Sequence, residues 1–94
     1  MKIYLLLAEG FETIEALAPV DIFRRADMDI ECVSITDSLM VTSSQGIEVK
    51  ADNILKDVDI DNGDALILPG GYPGYENLAD SAEVGEAVRK YFES

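Results

Sequence analysis

Ile3-Tyr4-Leu5-Leu6-Leu7-Ala8, followed at once by Glu9-Gly10, is the stretch that decides the fold class. An apolar run this short, ended by a charge and a glycine, favours a strand over a helix. Its continuity predicts burial on both faces, the pattern of parallel sheets. The run is also too short for the core of a secretory signal, and no small-residue cleavage site follows it. Nothing elsewhere approaches membrane-spanning length.

Working outward, residues 12–26 read as a helix and residues 29–35 as a second strand. Leu39 to Thr42 and Ile47 to Lys50 suit a small hairpin around Ser43-Ser44-Gln45-Gly46. Asp57 to Asp64 is acidic and turn-like, with Asn62-Gly63 at its tip. Ala65 to Leu68 is another short apolar strand, stopped by Pro69-Gly70-Gly71. Ser81 is placed to cap a last helix over 82–93, with Glu83 near its positive end. The order β-α-β-hairpin-β-α predicts a three-layer α/β arrangement with a parallel sheet. Right-handed crossovers put the first strand in the middle, giving strand order 2-1-3. No repeat or internal domain boundary interrupts residues 1–94.

The 94 residues carry 7 Lys+Arg against 19 Asp+Glu, a formal net charge of −12. Such a field repels phosphate backbones and anionic lipid heads, which argues against nucleic-acid and membrane-surface partners. There is no His, and one Cys cannot make an internal disulfide or a Cys-based metal cluster. That usage suits a reducing cytoplasm.

The two helices differ. On the last, Val84, Ala87, Val88, Tyr91 and Phe92 fall on one stripe and predict a surface helix covering one sheet face. The first is apolar nearly all round, through Ile14, Ala16, Leu17, Ala18, Val20, Ile22, Phe23 and Ala26. Its polar strip is Asp21, Arg24 and Arg25, with Asp21 and Arg25 spaced as an i,i+4 pair. A helix of this kind packs on two sides, and a second subunit is the simplest second partner.

At 100° per residue, Glu15 lies between Ile22 and Pro19, away from that polar strip. A carboxylate on an apolar face is costly unless neutral or well bonded, so Glu15 is a candidate hydrogen-bonding acid. The same residue, near a helix N-terminus, could equally reach solvent and interact with the dipole. Leu68-Pro69-Gly70-Gly71-Tyr72-Pro73-Gly74 is the second candidate, at the C-terminal end of a buried strand where open α/β sheets bind ligands. It is either a simple turn or a backbone N–H site. It lacks both phosphate-loop signatures, so an oxyanion-type donor fits better. Cys32, mid-strand among Ile30, Val33 and Ile35, reads as a structural thiol. Glu9 and Glu12 have no metal-ligand spacing, and neither a metal nor a cofactor is expected.

Taken together, Leu5 to Ala16, Pro19-Val20-Asp21, Arg24-Arg25-Ala26, Ala65 to Gly71 and Glu76-Asn77-Leu78 resemble the DJ-1/PfpI (ThiJ) family, and most closely its DJ-1 branch. The resemblance implies a flavodoxin-like sandwich related to class I glutamine amidotransferase domains, usually homodimeric. It also implies a nucleophilic Cys on a sharp strand-to-helix turn, bonded by a Glu of the first helix and faced by an oxyanion hole. On that basis Glu15 matches the Glu, Gly71 matches an oxyanion donor, and Gly70 supports the turn. The loop at Ser44-Gln45 matches one reaching toward the partner subunit's site, where DJ-1-type proteins often carry Arg instead of Gln45. Asp27 replaces the usual Gly after Arg24-Arg25-Ala26, a change that Asp tolerates at a left-handed cap.

The nucleophile turn and a later His have no counterpart in residues 1–94, and Cys32 does not align with that Cys. The resemblance therefore implies the N-terminal half of one such domain. The expected activity is that of a Cys-dependent hydrolase, a glyoxalase or deglycase, or a redox-responsive chaperone acting with a small-molecule substrate. Its partners would be a second copy, met through the first helix, and the C-terminal half, in the same or a separate chain. The competing reading is a stand-alone interaction domain associating through the first helix. A phosphate-responsive receiver fits least, because the strand at 65–68 ends in Pro-Gly-Gly rather than Asp.

Overall fold

The computed structural model describes residues 1–93. Four parallel strands form the sheet: β1 (Lys2–Leu7), β2 (Asp29–Ser34), β5 (Asn53–Ile54) and β6 (Ala65–Ile67), in the order β5-β2-β1-β6. The expected 2-1-3 order is its β2-β1-β6 portion. The two-residue β5, unforeseen, extends it by pairing Val33 with Asn53 and Ser34 with Ile54. Strands β3 (Met40–Thr42) and β4 (Glu48–Lys50) make the expected antiparallel hairpin.

β1 is buried on both faces, and its alternation divides the core. Ile3, Leu5 and Leu7 pack with Ala16 and Val20 of helix α1 (Thr13–Arg25) and with Ile30 and Cys32. Tyr4, Leu6 and Ala8 point the other way, onto Val33, Leu78 and Val84. Leu78 lies on α2 (Gly74–Ala79) and Val84 on α3 (Ala82–Glu93). These are the three layers.

Glu12 caps α1 through its carboxylate, which accepts the Ile14 N–H. The helix closes with Met28 N–H bonded to the Phe23 carbonyl while Asp27 sits at φ +59°, the left-handed cap expected of it. Ser81 caps α3, its Oγ accepting the Val84 N–H at 3.2 Å. On α3, Val84 and Ala87 are buried as expected, but Phe92 is 90% exposed and lies outside the core. The two-sided character of α1 is present: Ala16 and Val20 are buried, while Ile14 and Ile22 stay 68% and 62% exposed. Arg25 and Asp21 pair at 2.8 Å on open surface, a contact worth little to stability.

Candidate functional site

The C-terminal ends of β1 and β6 lie side by side because those strands pair in register, Ile3 with Ala65 through Leu5 with Ile67. Beyond them the chain segments 8–15 and 68–77 are tied together at several points. Gly70 is held twice by the start of α1. Its carbonyl accepts the Glu12 N–H at 2.9 Å. Its N–H donates to Glu15 Oε1 at 3.0 Å. The Gly74 N–H donates to the Gly10 carbonyl at 3.1 Å, and Asn77 Nδ2 donates to the Glu9 carbonyl at 2.7 Å.

The glycines permit this closeness. A Cβ on Gly70 would fall 2.5 Å from Glu15 Oε1, and one on Gly71 would collide with the backbone nitrogen of Glu12. Gly71 also adopts φ +102°, which L side chains rarely take. Its carbonyl accepts the Tyr75 N–H at 2.8 Å, while its own N–H has no acceptor among the described residues. That leaves one backbone donor available at the strand end.

The structure therefore brings Glu15, Gly70 and Gly71 together. It corrects the reason given for Glu15. That residue is exposed, beside exposed Ile14 and Ala18, and is not sunk in an apolar face. Only one side of α1 meets the sheet, so an apolar surround on the helical wheel does not mean burial. What Glu15 has is a bonded partner: Oε1 is engaged by Gly70 and Oε2 is left open.

Other residues build the site's frame: the Ser44-Gln45 loop, which the family resemblance marked as reaching toward a partner's site, and Thr13, which carries no sequence signal of that role. Thr13 gives both its N–H, at 3.1 Å, and its hydroxyl, at 2.7 Å, to Gln45 Oε1. Ser44 N–H donates to the Phe11 carbonyl at 2.8 Å. The hairpin turn is thus fastened to the first turn of α1, some thirty residues away in sequence. Asn77 carries a signal only as part of a motif. No Lys or Arg occurs between residues 3 and 23 or between 57 and 88, so the loops around Gly70 carry only acidic charge. Among the described residues no cluster of acids and Cys is arranged to hold a metal ion.

Cys32 is 5% exposed, and burial, reinforced by the Asp52 carboxylate, pushes its thiol up to about 11. Asp52 Oδ2 accepts the Cys32 N–H at 2.8 Å and the Arg24 guanidinium at 2.9 Å. The thiol is an inert core group at neutral pH. Because its folded value lies above its unfolded one, its contribution to stability is complete below about pH 8.5 and is lost as pH rises through about 11. Replacing Cys32 with Ala should remove roughly 2–3 kcal/mol of that alkaline loss. Urea unfolding of both forms between pH 7 and 11 measures it. Alkylation of the folded thiol should stay slow up to pH 9.

The DJ-1/PfpI family model matches residues 1–94. The chain belongs to the DJ-1/PfpI family. It is 33% identical over 89 residues to Protein DJ-1 homolog B of Arabidopsis thaliana, covering 95% of this chain and 20% of that protein. Among solved structures, oxidized DJ-1 of Toxoplasma gondii matches with a TM-score of 0.91 and 33% identity, over 96% of this chain and 49% of that one. A cysteine-to-alanine mutant of the DJ-1 superfamily protein STM1931 from Salmonella typhimurium matches with a TM-score of 0.91 and 36% identity, over 98% and 50%. The chain thus spans between a fifth and a half of the length of these relatives. No helix among the described residues is long and apolar enough to cross a membrane.

Proposed function

We propose that residues 1–94 supply the acid and one backbone donor, the Gly71 N–H, of a Cys-dependent DJ-1/PfpI site whose nucleophile lies beyond residue 94, in the second half of the same domain. The observation that carries this reading is the Glu15 Oε1 to Gly70 N–H bond. It holds a helix carboxyl and a glycine turn at one strand end, although they are 55 residues apart. With Oε1 engaged by Gly70, Oε2 is the carboxyl oxygen left open for a hydrogen bond to the sulfur. The Gly71 N–H is available to an oxyanion formed when the thiolate attacks a carbonyl.

Two surfaces support a second half. β6 pairs with β1 on one side and has no strand on the other among the described residues. An apolar groove of about 450 Å³ opens beside Gly70, lined by Leu68, Pro69, Tyr75, Val84 and Val88. The names of the relatives favour thiol chemistry, one structure being an oxidized DJ-1 and another a cysteine-to-alanine mutant. The activity class is a hydrolase, glyoxalase or deglycase, or a redox-responsive chaperone, acting on a small molecule in a reducing cytoplasm.

Residues 1–94 alone should turn over neither esters nor α-oxoaldehydes, whereas the whole natural protein should, and should lose activity when its site thiol is replaced by Ser. Turnover by residues 1–94 that survives Cys32→Ser contradicts the reading. The exposed α1 face also favours a homodimer, with Ile14 and Ile22 packed against a second copy. Replacing both with Asp should convert a dimer to a monomer by sedimentation. An unchanged sedimentation coefficient would place the interface elsewhere.

A further inference from the structure

The turn of the β3–β4 hairpin is built as one bonded unit. The buried Ser43 Oγ accepts the backbone N–H of Gln45 at 3.3 Å and that of Ile47 at 3.1 Å. Gln45 Nε2 donates to Ser44 Oγ at 2.7 Å. The other end of that amide, Oε1, faces α1 and accepts both the N–H and the hydroxyl of Thr13. Thr13 Oγ also lies 2.7 Å from Ser43 Oγ. The turn thus offers a fixed acceptor to the start of the helix.

This helix start has particular need of one. The first N–H groups of a helix have no partner within it. The Glu12 carboxylate serves the N–H of Ile14, and Gln45 serves that of Thr13. Pro19 has no N–H to give the carbonyl of Glu15, so the turn that carries Glu15 lacks one of its own bonds. Glu15 itself is exposed, and its side chain is held by the Gly70 N–H. A long exposed side chain on a loosened turn spreads over several rotamers. Whatever fixes the backbone of that turn limits where the carboxyl can reach.

We propose that Gln45 is a positioning residue for Glu15. By accepting both Thr13 donors it holds the first turn of α1 where Glu15 meets Gly70 and the proposed thiol. Gln45 acts through Thr13 and the helix backbone on the acid two residues further on, not on the thiol itself. The inference rests on the reading of the site as a thiol site served by Glu15.

The test follows alkylation of the site thiol against pH in the whole natural protein, beside urea midpoints. Gln45→Met keeps the length of the side chain and removes the amide acceptor. It should raise the thiol pKa by about 0.5 unit, slowing alkylation below neutral pH about threefold. Thr13→Val, which loses the hydroxyl, should shift it in the same direction. Thr13→Ser keeps both donors and should match the wild type. In a Glu15→Leu background, Gln45→Met should add no further shift, because the acid it positions is gone. A purely structural tie would lower the urea midpoint and leave the thiol titration where it was. If Glu15→Leu raises the thiol pKa while Gln45→Met does not, the positioning role is overturned and the reading of the site stands. A full Gln45→Met shift in the Glu15→Leu background, or equal shifts for Thr13→Val and Thr13→Ser, would overturn it as well. No response to Glu15→Leu itself would overturn both. Should Gln45→Met fail to fold, Thr13→Val against Thr13→Ser decides alone.

Discussion

Gly71→Ala is expected to destabilise the protein by about 2–5 kcal/mol, because two costs add at this position. Forcing an L residue into φ +102° carries a penalty of about 1–2 kcal/mol. The new Cβ then meets the Glu12 backbone nitrogen, an atom fixed by its bond to the Gly70 carbonyl, and such overpacking adds about 1–3 kcal/mol. Gly46→Ala separates the two costs. Gly46 has φ +81° but nothing within 4 Å of an added methyl, so it should lose only about 1–2 kcal/mol. Gly85→Ala, in α3 with open space around it, should gain about 0.5–1 kcal/mol. Urea midpoints of the three variants check the order. Equal losses at Gly71 and Gly46 would show that the contact between the glycine turn and α1 yields without cost.

The three-layer architecture was legible because β1 and β6 are short unbroken apolar runs and α1 carries both a helical period and a left-handed stop at Asp27. The hairpin was legible from the Ser43 to Gly46 turn. Helix α2 was not: Gly74-Tyr75-Glu76-Asn77-Leu78-Ala79 is too short to show a period and begins on a poor helix former. Two-residue β5 exists only because β2 offers an open edge to Asn53 and Ile54. Phe92 sits on the right stripe of α3, but periodicity fixes a face and not how far along the helix there is a sheet to cover. The meeting of Glu15 with Gly70 depends on the pairing of β1 with β6, so no local spacing contains it. It was legible only through resemblance to the DJ-1/PfpI family, whereas the exposure of Glu15 follows the alternative reading of a Glu near a helix N-terminus that reaches solvent.

The second large effect concerns how Glu15 sets the reactivity of the proposed thiol. A hydrogen bond to a charged group contributes about 1.5–3 kcal/mol, which corresponds to about one to two pKa units on the thiol. Glu15→Leu removes the donor and should raise the thiol's titration by that amount, slowing alkylation below neutral pH by about tenfold or more. Glu15→Gln keeps a weaker donor and should give a smaller shift. Gly70→Ala acts on the same group from the other side. Gly70 has an ordinary φ, and the added methyl meets only the end of the Glu15 side chain. The variant should therefore stay folded within about 1 kcal/mol while displacing the carboxyl.

The most direct measurement is a pH series of alkylation rates at the site thiol of the whole natural protein, for the wild type, Glu15→Leu, Glu15→Gln, Gly70→Ala and Glu12→Gln. Glu12 serves as the internal control, since its carboxylate already accepts the Ile14 N–H and faces its own helix end. A raised thiol pKa is expected in the two Glu15 variants and in Gly70→Ala, with Glu12→Gln close to wild type. An unchanged thiol pKa in Glu15→Leu, or a larger shift in Glu12→Gln, would contradict it and leave the Glu15–Gly70 bond as a structural tie alone.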